Sequence, residues 1–395
     1  MLAPESAPLV VLLASVLKPV DDTRMRGKFA ETLLARPGVQ VHIAGRTTGD
    51  TPAIPAAAAT SRLALHPLFR GSRLSLDRLV AQWRFWRLLR RLQPELVIVH
   101  APELLPLTLL WQQLGQGRKF LYDIRENYAL NVSTQQVYRG FTRRVLAAGL
   151  RWIEGSAARR AAGVTLAEES YADELLFLRE LPASRVVVLE NKYQPAPGEI
   201  LPTQPRPHPT PDEPLRLLYS GTISALNGVW EAIALAQALA TTWPGGAHLT
   251  IIGCCQQPEL LQRLRTAVDG QPDLLTLLGG ALPVPHARIV SEIRQSHLGL
   301  LAYRPHPSTA RCRPTKLFEY LALGLPILIP RNWLWAKTMA RHGGGMMYDL
   351  IPADAAAAHV RKALEGCRFY PNGIPDEVQW ASEGKKLWCL LDSFI

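Results

Sequence analysis

Short apolar runs alternate with longer segments of helical periodicity along the whole 395-residue chain, and this alternation narrows its fold more than any other feature. The runs are rich in Val, Ile and Leu and do not alternate with polar residues. They therefore read as strands covered on both faces, as the strands of parallel sheets are. In the first half strands are expected near 9–14, 39–44, 95–100, 119–124, 163–166 and 185–189. In the second half they are expected near 215–220, 248–252, 274–277, 298–303, 326–329 and 346–348. The chain is too long for a single core and of comfortable length for two.

The segment 195–214 reads PAPGEILPTQPRPHPTPDEP. Proline at that density propagates neither a helix nor an interior strand, so a semi-rigid linker is expected there. The expected organisation is a first domain over 1–194, the linker, a second domain over 215–375, and a closing helical segment over 376–395. Val378, Trp380, Leu387, Trp388 and Leu391 give that last segment an apolar stripe with which to cross back to the first domain. No internal repeat is visible.

Lys and Arg number 44 against 33 Asp and Glu, a formal net charge of +11. Such a balance suits anionic partners without choosing among nucleotides, pyrophosphate-linked lipids, a membrane surface or nucleic acid. The five cysteines include no C-x-x-C pair, which reads as reduced thiols with neither a disulfide framework nor a zinc site. The apolar stretch 8–17 is too short to span a bilayer and lacks a basic flank, so a cytoplasmic protein is expected. Asn131-Val132-Ser133 forms a glycosylation sequon, to which that expectation gives no role.

The strongest local signal is Arg313-Pro-Thr-Lys-Leu-Phe-Glu-Tyr-Leu-Ala-Leu-Gly-Leu-Pro. Pro314 stands where a helix begins, Leu317, Phe318, Leu321 and Leu323 give a core-facing stripe, and Gly324 closes the helix before the next strand. Glu319 thus rides on a short helix beside the strand ends, where open α/β sheets bind ligands. A carboxylate there can accept two ribose hydroxyl hydrogen bonds, and Lys316 one turn earlier can meet phosphate. A second signal is Leu217-Leu-Tyr-Ser-Gly-Thr-Ile-Ser-Ala-Leu-Asn-Gly-Val-Trp. There a strand enters a tight turn at Gly221 and a helix begins near Gly228, an arrangement that lets backbone N–H groups approach phosphate.

These segments resemble glycosyltransferase family 4, whose donor-binding segment reads P-T-K-L-F-E-Y-x-A-x-G-x-P. The resemblance implies a GT-B fold, two Rossmann-like α/β domains facing a cleft, and retaining transfer from a nucleotide sugar, UDP- or GDP-linked. The nucleotide sugar is then a substrate, and neither cofactor nor metal is expected. It implies that Glu319 binds the nucleotide ribose and that the Gly221 turn lies on the diphosphate. The sequence departs where the family places Arg and Lys on that diphosphate, with Thr222 and Asn227 in those positions. It also carries Arg311 where the family often has Glu. Arg304, Arg311, Arg313 and Lys316 are therefore the cations expected to replace the missing clamp. His286, in a P-H turn that the family places near the donor base, is a further candidate.

In the first half, Asp22, Thr23 and Arg24 follow the first strand as D-T-R does in family 4, and are expected to contact acceptor or donor phosphate. Strand 95–100 ends in His-Ala-Pro-Glu, and the next ends in Tyr-Asp-Ile-Arg-Glu-Asn, where the family reads Y-D-V-H-E. Arg125 stands in place of that His. An Arg cannot serve as a base, so His100, Glu103, Glu126 or the leaving phosphate would carry any proton, with Asn127 on the acceptor side. Segments 79–92 and 138–160 interleave Trp83, Phe85, Trp86 and Trp152 with many arginines, among them Arg84, Arg87, Arg143, Arg144 and Arg159. This pattern suits contact with an anionic membrane surface. A lipid-linked or oligosaccharide acceptor of cell-envelope polysaccharide synthesis fits that placement, on the cytoplasmic side and peripheral to the inner face of the membrane. A catalytically silent binding protein and a nucleotide-sugar 2-epimerase remain as alternatives on the same architecture. Nucleic acid is not expected as a partner, since no recognisable module accompanies the charge.

Overall fold

The structure is a computed structural model that describes residues 8–47, 62–70, 75, 77–134, 140–306, 309–349 and 352–395. The side chains of Asn131, Ser133 and Arg143 lie outside the description, as does Tyr138. The chain divides into two compact units, one of residues 1–194 with 380–395, the other of residues 195–379.

The first unit is built on a seven-stranded parallel sheet. Its strands are β1 (Leu9–Pro19), β2 (Val39–Arg46), β3 (Leu63–Phe69), β4 (Leu96–Val99), β5 (Lys119–Ile124), β6 (Gly163–Leu166) and β7 (Val186–Val188), in the order β3-β2-β1-β4-β5-β6-β7. Strand β3 was not expected from the sequence. It carries His66 and Pro67 inside an otherwise apolar run, and proline in a strand is tolerated at a sheet edge, which is where β3 lies. Central strands bury Val11, Leu12, Leu13, Val97, Ile98 and Leu121 completely. The 77–92 helix buries Ala81, Phe85, Leu88 and Leu89, one face at helical spacing, and leaves Leu79, Val80 and Trp83 exposed.

The closing helix, Trp380–Asp392, belongs to this same unit. Trp380, Leu387, Leu390 and Leu391 pack into the core beside Phe29 and Leu33, and the Trp380 indole donates to Thr32 Oγ1 at 2.9 Å. Its Glu383 is buried between Lys192 at 2.6 Å and Lys386 at 3.0 Å.

The second unit carries β8 (Leu215–Thr222), β9 (Ala247–Cys254), β10 (Leu275–Gly280), β11 (Leu298–Leu300), β12 (Ile327–Ile329) and β13 (Gly345–Met347) in the parallel order β10-β9-β8-β11-β12-β13. Both sheets thus reverse their strand order beside the first strand of the unit, the position at which doubly wound sheets open a crevice at the strand ends. The 229–242 helix buries Val229, Ala232, Ile233, Leu235, Ala236 and Leu239 over β8 and β9. The proline-rich segment groups with this second unit. It adopts no helix or strand, and is tied down where Arg206 N–H donates to the Gly324 carbonyl and Arg294 donates to the Ile200 carbonyl at 2.7 Å.

Candidate functional site

In the second unit, strand β8 runs into the Gly221 turn and the 315–322 helix follows β11, so two separate segments converge at the strand ends. Gly221 has φ +94°, a left-handed conformation that favours glycine, and a Cβ there would stand 3.4 Å from Lys316 Cε. Lys316 is 9% exposed, and its ammonium donates to the Ser220 carbonyl and lies 5.1 Å from the ring centres of Tyr219 and Tyr303. Burial pushes its pKa down to about 8 against the opposing pull of Glu319. One turn on, Glu319 is also buried, and its carboxylate meets His286 Nε2 at 2.5 Å. Lysine, glutamate and the glycine turn are thus brought together, with His286 joining them from the start of the 286–295 helix. A cation poised beside an unhindered backbone turn, with a carboxylate one helical turn away, can hold an anion and a diol on neighbouring atoms.

The remaining second-unit candidates have other partners. Asn227 braces the turn itself, its side chain donating to the Thr222 carbonyl at 2.9 Å and its N–H donating to Ser224 Oγ at 3.0 Å. Thr222 is exposed, and its carbonyl also accepts from Tyr219. Gly228 starts the 229–242 helix at φ +77°, and a Cβ there would fall 1.6 Å from the Ala302 carbonyl oxygen, so its glycine serves close packing. Arg304 pairs with Glu231 at 2.6 Å. Arg311 is exposed.

The first-unit candidates are arranged differently. Arg24 is 1% exposed and forms a two-pronged pair with Asp123, Nε to Oδ2 at 2.8 Å and Nη2 to Oδ1 at 2.7 Å. Its Nη1 donates to the Leu189 carbonyl and to Asn191 Oδ1, each at 2.9 Å. A guanidinium so enclosed offers no surface to a phosphate, which corrects the expectation for Arg24. Asp123 also accepts from His100 Nδ1 and from Thr165 Oγ1, both at 2.7 Å. Burial alone would raise the Asp123 carboxyl, but Arg24 and His100 outweigh it and hold the group far below the usual carboxylate range. His100 is 0% exposed and its pKa is lowered by burial despite Asp123, so the ring is neutral and its Nδ1–H donates to the carboxylate. The imidazole is thus enclosed at the end of β4, and its Nε2 has no hydrogen-bond partner among the described residues.

Arg125 forms a two-pronged pair with Asp22 at 2.8 and 3.0 Å, and Asp22 also accepts from the N–H groups of Arg24 and Met25. Burial opposes ionisation of Asp22, but Arg125 prevails and lowers its pKa. Asn127 accepts from Leu130 N–H and from Arg151, and donates to Glu174 at 2.9 Å, so it caps the 128–134 helix. The accessible candidates are Thr23, Glu103 with Arg78 at 2.7 Å, and Glu126 with Lys18 at 3.0 Å. Asp123, the centre of this cluster, was not singled out from the sequence although its Tyr-Asp-Ile-Arg-Glu motif stands there. A strand-end Asp gives no hint of how many donors surround it.

Residues 29–192 match a family model described as a glycosyl transferase 4-like domain. The first unit is a glycosyl transferase 4-like domain. The matched residues make up less than half of the chain and stop short of the 313–326 segment that carries its most specific motif. No curated protein sequence matches it significantly. Solved structures of similar fold include sucrose-phosphate synthase from Thermosynechococcus elongatus, 15% identical with a TM-score of 0.65 over 97% of this chain and 98% of that one. The lipopolysaccharide outer core galactosyltransferase WaaB is 14% identical, TM-score 0.63, over 98% and 99%. Anabaena HepE, solved in complex with UDP, is 12% identical, TM-score 0.62, over 97% and 99%. At these identities the likeness establishes the shared GT-B fold.

Among the described residues no group of three or more His, Cys, Asp or Glu side chains is placed to hold a metal ion, and no helix is long and apolar enough to cross a membrane.

Proposed function

We propose that this glycosyltransferase takes a sugar from a nucleoside-diphosphate donor held by the second unit and transfers it, with retention, to a lipid-linked or glycan acceptor of the cell envelope. The observation that carries the reading is the Lys316 ammonium resting on the Gly221 turn with Glu319 one helical turn away. In this reading Lys316 and the turn hold the diphosphate, Glu319 holds the ribose, and His286 lies toward the base. The UDP present in the HepE complex favours a nucleotide ligand of this kind, and the outer core galactosyltransferase makes an envelope acceptor a reasonable class. No cofactor or metal is required by this scheme, since Lys316 and nearby arginines neutralise the leaving diphosphate.

A membrane-bound acceptor is supported by the 77–92 helix, on which Leu79 and Trp83 are 70% and 56% exposed beside Arg84 and Arg87. Trp152, 70% exposed on the 140–160 helix, adds a second aromatic anchor.

The test is nucleotide binding read by thermal shift with UDP, GDP and ADP. One nucleotide at a hundredfold over its Kd should stabilise the folded protein by about 2.7 kcal/mol. Glu319→Ala and Lys316→Ala should each weaken binding about tenfold or more. Undiminished binding in both variants would remove the donor assignment. A second reading, a silent binding protein, is favoured by Asn227 and Arg125 already being engaged with neighbours. It would bind a nucleotide without transferring sugar. Turnover with no acceptor at all would instead mark a 2-epimerase.

A further inference from the structure

The Lys316 ammonium is enclosed by groups that carry no charge. It lies over the faces of the Tyr219 and Tyr303 rings, 5.1 Å from each centre, and donates to the Ser220 carbonyl. Glu319, one turn on, is engaged by His286 and forms no ion pair with it. The members of this cage come from separate segments. Tyr219 is fully buried at the end of β8, and its hydroxyl donates to the Thr222 carbonyl at 3.1 Å across the Gly221 turn. Tyr303 is half-buried after β11 and is braced edge to face at 5.4 Å by Trp335. The Trp335 indole donates in turn to the Cys312 carbonyl at 2.7 Å, just ahead of the helix that carries Lys316. Both rings are thus fixed by contacts of their own.

A ring face attracts a cation through its quadrupole, most strongly where water is excluded. The phenols add no charge of their own. Burial raises those of Tyr219, Tyr303 and Tyr320 above their ordinary range, so all three stay neutral. The titratable and charged groups on the surrounding segments are Glu319 on the same helix, His286 at the start of the 286–295 helix, the Cys312 thiol beside Tyr303, and Arg304, which is paired with Glu231. A carboxylate partner would cancel the Lys316 charge and take up its donors, as Asp123 does with Arg24. The uncharged cage leaves the charge in place and, with one N–H given to Ser220, leaves two more to donate. Thr222 and Asn227 bring no charge to the turn, so the charge offered to an anion there is that of Lys316.

We propose that Tyr219 and Tyr303 are positioning residues for the donor: their ring faces hold the Lys316 ammonium at the Gly221 turn without neutralising it, so that its charge is left for the diphosphate. The inference rests on the donor reading above and adds to it the two side chains that keep its cation available.

Calorimetric titration of the full chain with UDP, GDP and ADP across a range of pH tests it, beside an NMR titration of the Lys316 ammonium in the unliganded chain. Tyr303→Leu and Tyr303→Met each remove one ring face, with two different side-chain shapes. Both should weaken the preferred diphosphate about three- to thirtyfold near neutral pH. Their affinity should begin to fall about one pH unit lower than that of the wild type, because an ammonium deprived of a ring face gives up its proton sooner. Tyr303→Phe and Tyr219→Phe keep both faces, and should bind within about twofold of the wild type with an unmoved pH profile. A loss of packing alone would lower Tm and move neither titration. If Tyr303→Leu and Tyr303→Met match the wild type in affinity and in the Lys316 titration, the rings do not position the cation, and the inference falls while the donor site stands. If Tyr303→Phe loses as much as Tyr303→Leu, the hydroxyl acts in place of the ring face, and the inference falls as well. If no nucleoside diphosphate binds the wild type, the donor reading itself fails and takes this inference with it.

Discussion

The two units share a fold and place polar side chains at the same ends of their strands, yet they treat those side chains in opposite ways. In the first unit Arg24, Asp123, His100, Asn191 and Thr165 meet in a buried cluster in which the charges of Arg24 and Asp123 are paired while His100 Nε2 keeps no partner among the described residues, and Asp22 and Arg125 form a second pair. In the second unit Lys316 leans on a backbone carbonyl, Glu319 on a half-exposed histidine, and the buried Glu231 and Tyr348 each keep an atom without a partner. Low dielectric makes a completed polar network rigid and an incomplete one costly. The first arrangement therefore binds its buried charges to one another as a scaffold, and the second leaves the Lys316 ammonium and the Glu319 carboxylate engaged only by a backbone carbonyl and a half-exposed ring that a ligand can displace.

The largest test of this contrast is Asp123→Asn. It strips the buried Arg24 of its counter-charge, and removing one partner of such a pair costs about 3–5 kcal/mol. Chemical denaturation should show a first-unit transition shifted by that order, with nucleotide affinity unchanged in whatever remains folded. A shift below about 1 kcal/mol would mean that the cluster is not the scaffold described.

Next in size is a pH effect on the ligand. Lys316 titrates near 8, so its ammonium is complete below that pH and is lost as pH rises through it. Diphosphate affinity should hold to about pH 7.5 and fall toward pH 9.5, and Lys316→Met should abolish that slope along with most of the affinity. A slope retained in Lys316→Met would assign it to another group.

Acid should act on both units alike. His66 and His297 are held to about 4, mainly by burial, with His42 and then Arg91 adding repulsion at His66 and Arg216 at His297, against 6.5 for an unperturbed histidine. Between those values the unfolded chain binds the extra protons, so stability is present above about pH 6.5 and is lost progressively as pH falls toward 4. His66→Gln should flatten the acid loss of the first unit, and His297→Gln that of the second.

The smallest expected effects belong to Glu103→Gln and Glu126→Gln, whose exposed ion pairs should contribute less than about 1 kcal/mol to stability. A loss of about a hundredfold in kcat from either, with Tm held, would identify the proton acceptor that His100 is too deeply buried to be.

Much of the architecture was legible in the chain itself. Unbroken apolar runs such as Leu9–Ala14 and Leu96–Val99 fixed parallel strands because a strand covered on both faces tolerates no polar alternation. The Pro314, Gly324 and Pro326 punctuation located the helix that carries Lys316 and Glu319, since helix starts and stops are local chemistry. Strand β3 escaped because an edge strand need bury only part of its length, and Pro67 with His66 broke the pattern.

What a polar residue does at a strand end depended on its partners, and those come from distant parts of the chain. Arg24 meets Asp123 across 99 residues and Leu189 across 165. The D-T-R sequence marked Arg24 as a ligand contact, and only the packing of β1, β5 and β7 enclosed it. Tyr348 and Glu231 carry no motif at all, and they share a cavity wall only because the fold brings the segment after β13 to the start of the 229–242 helix. The sequence by itself determined which segments are strands and helices and where the donor helix begins, because periodicity and capping act over a few residues. The tertiary structure alone decided which charges are neutralised and which remain for a ligand, because burial and pairing are properties of what the fold brings together.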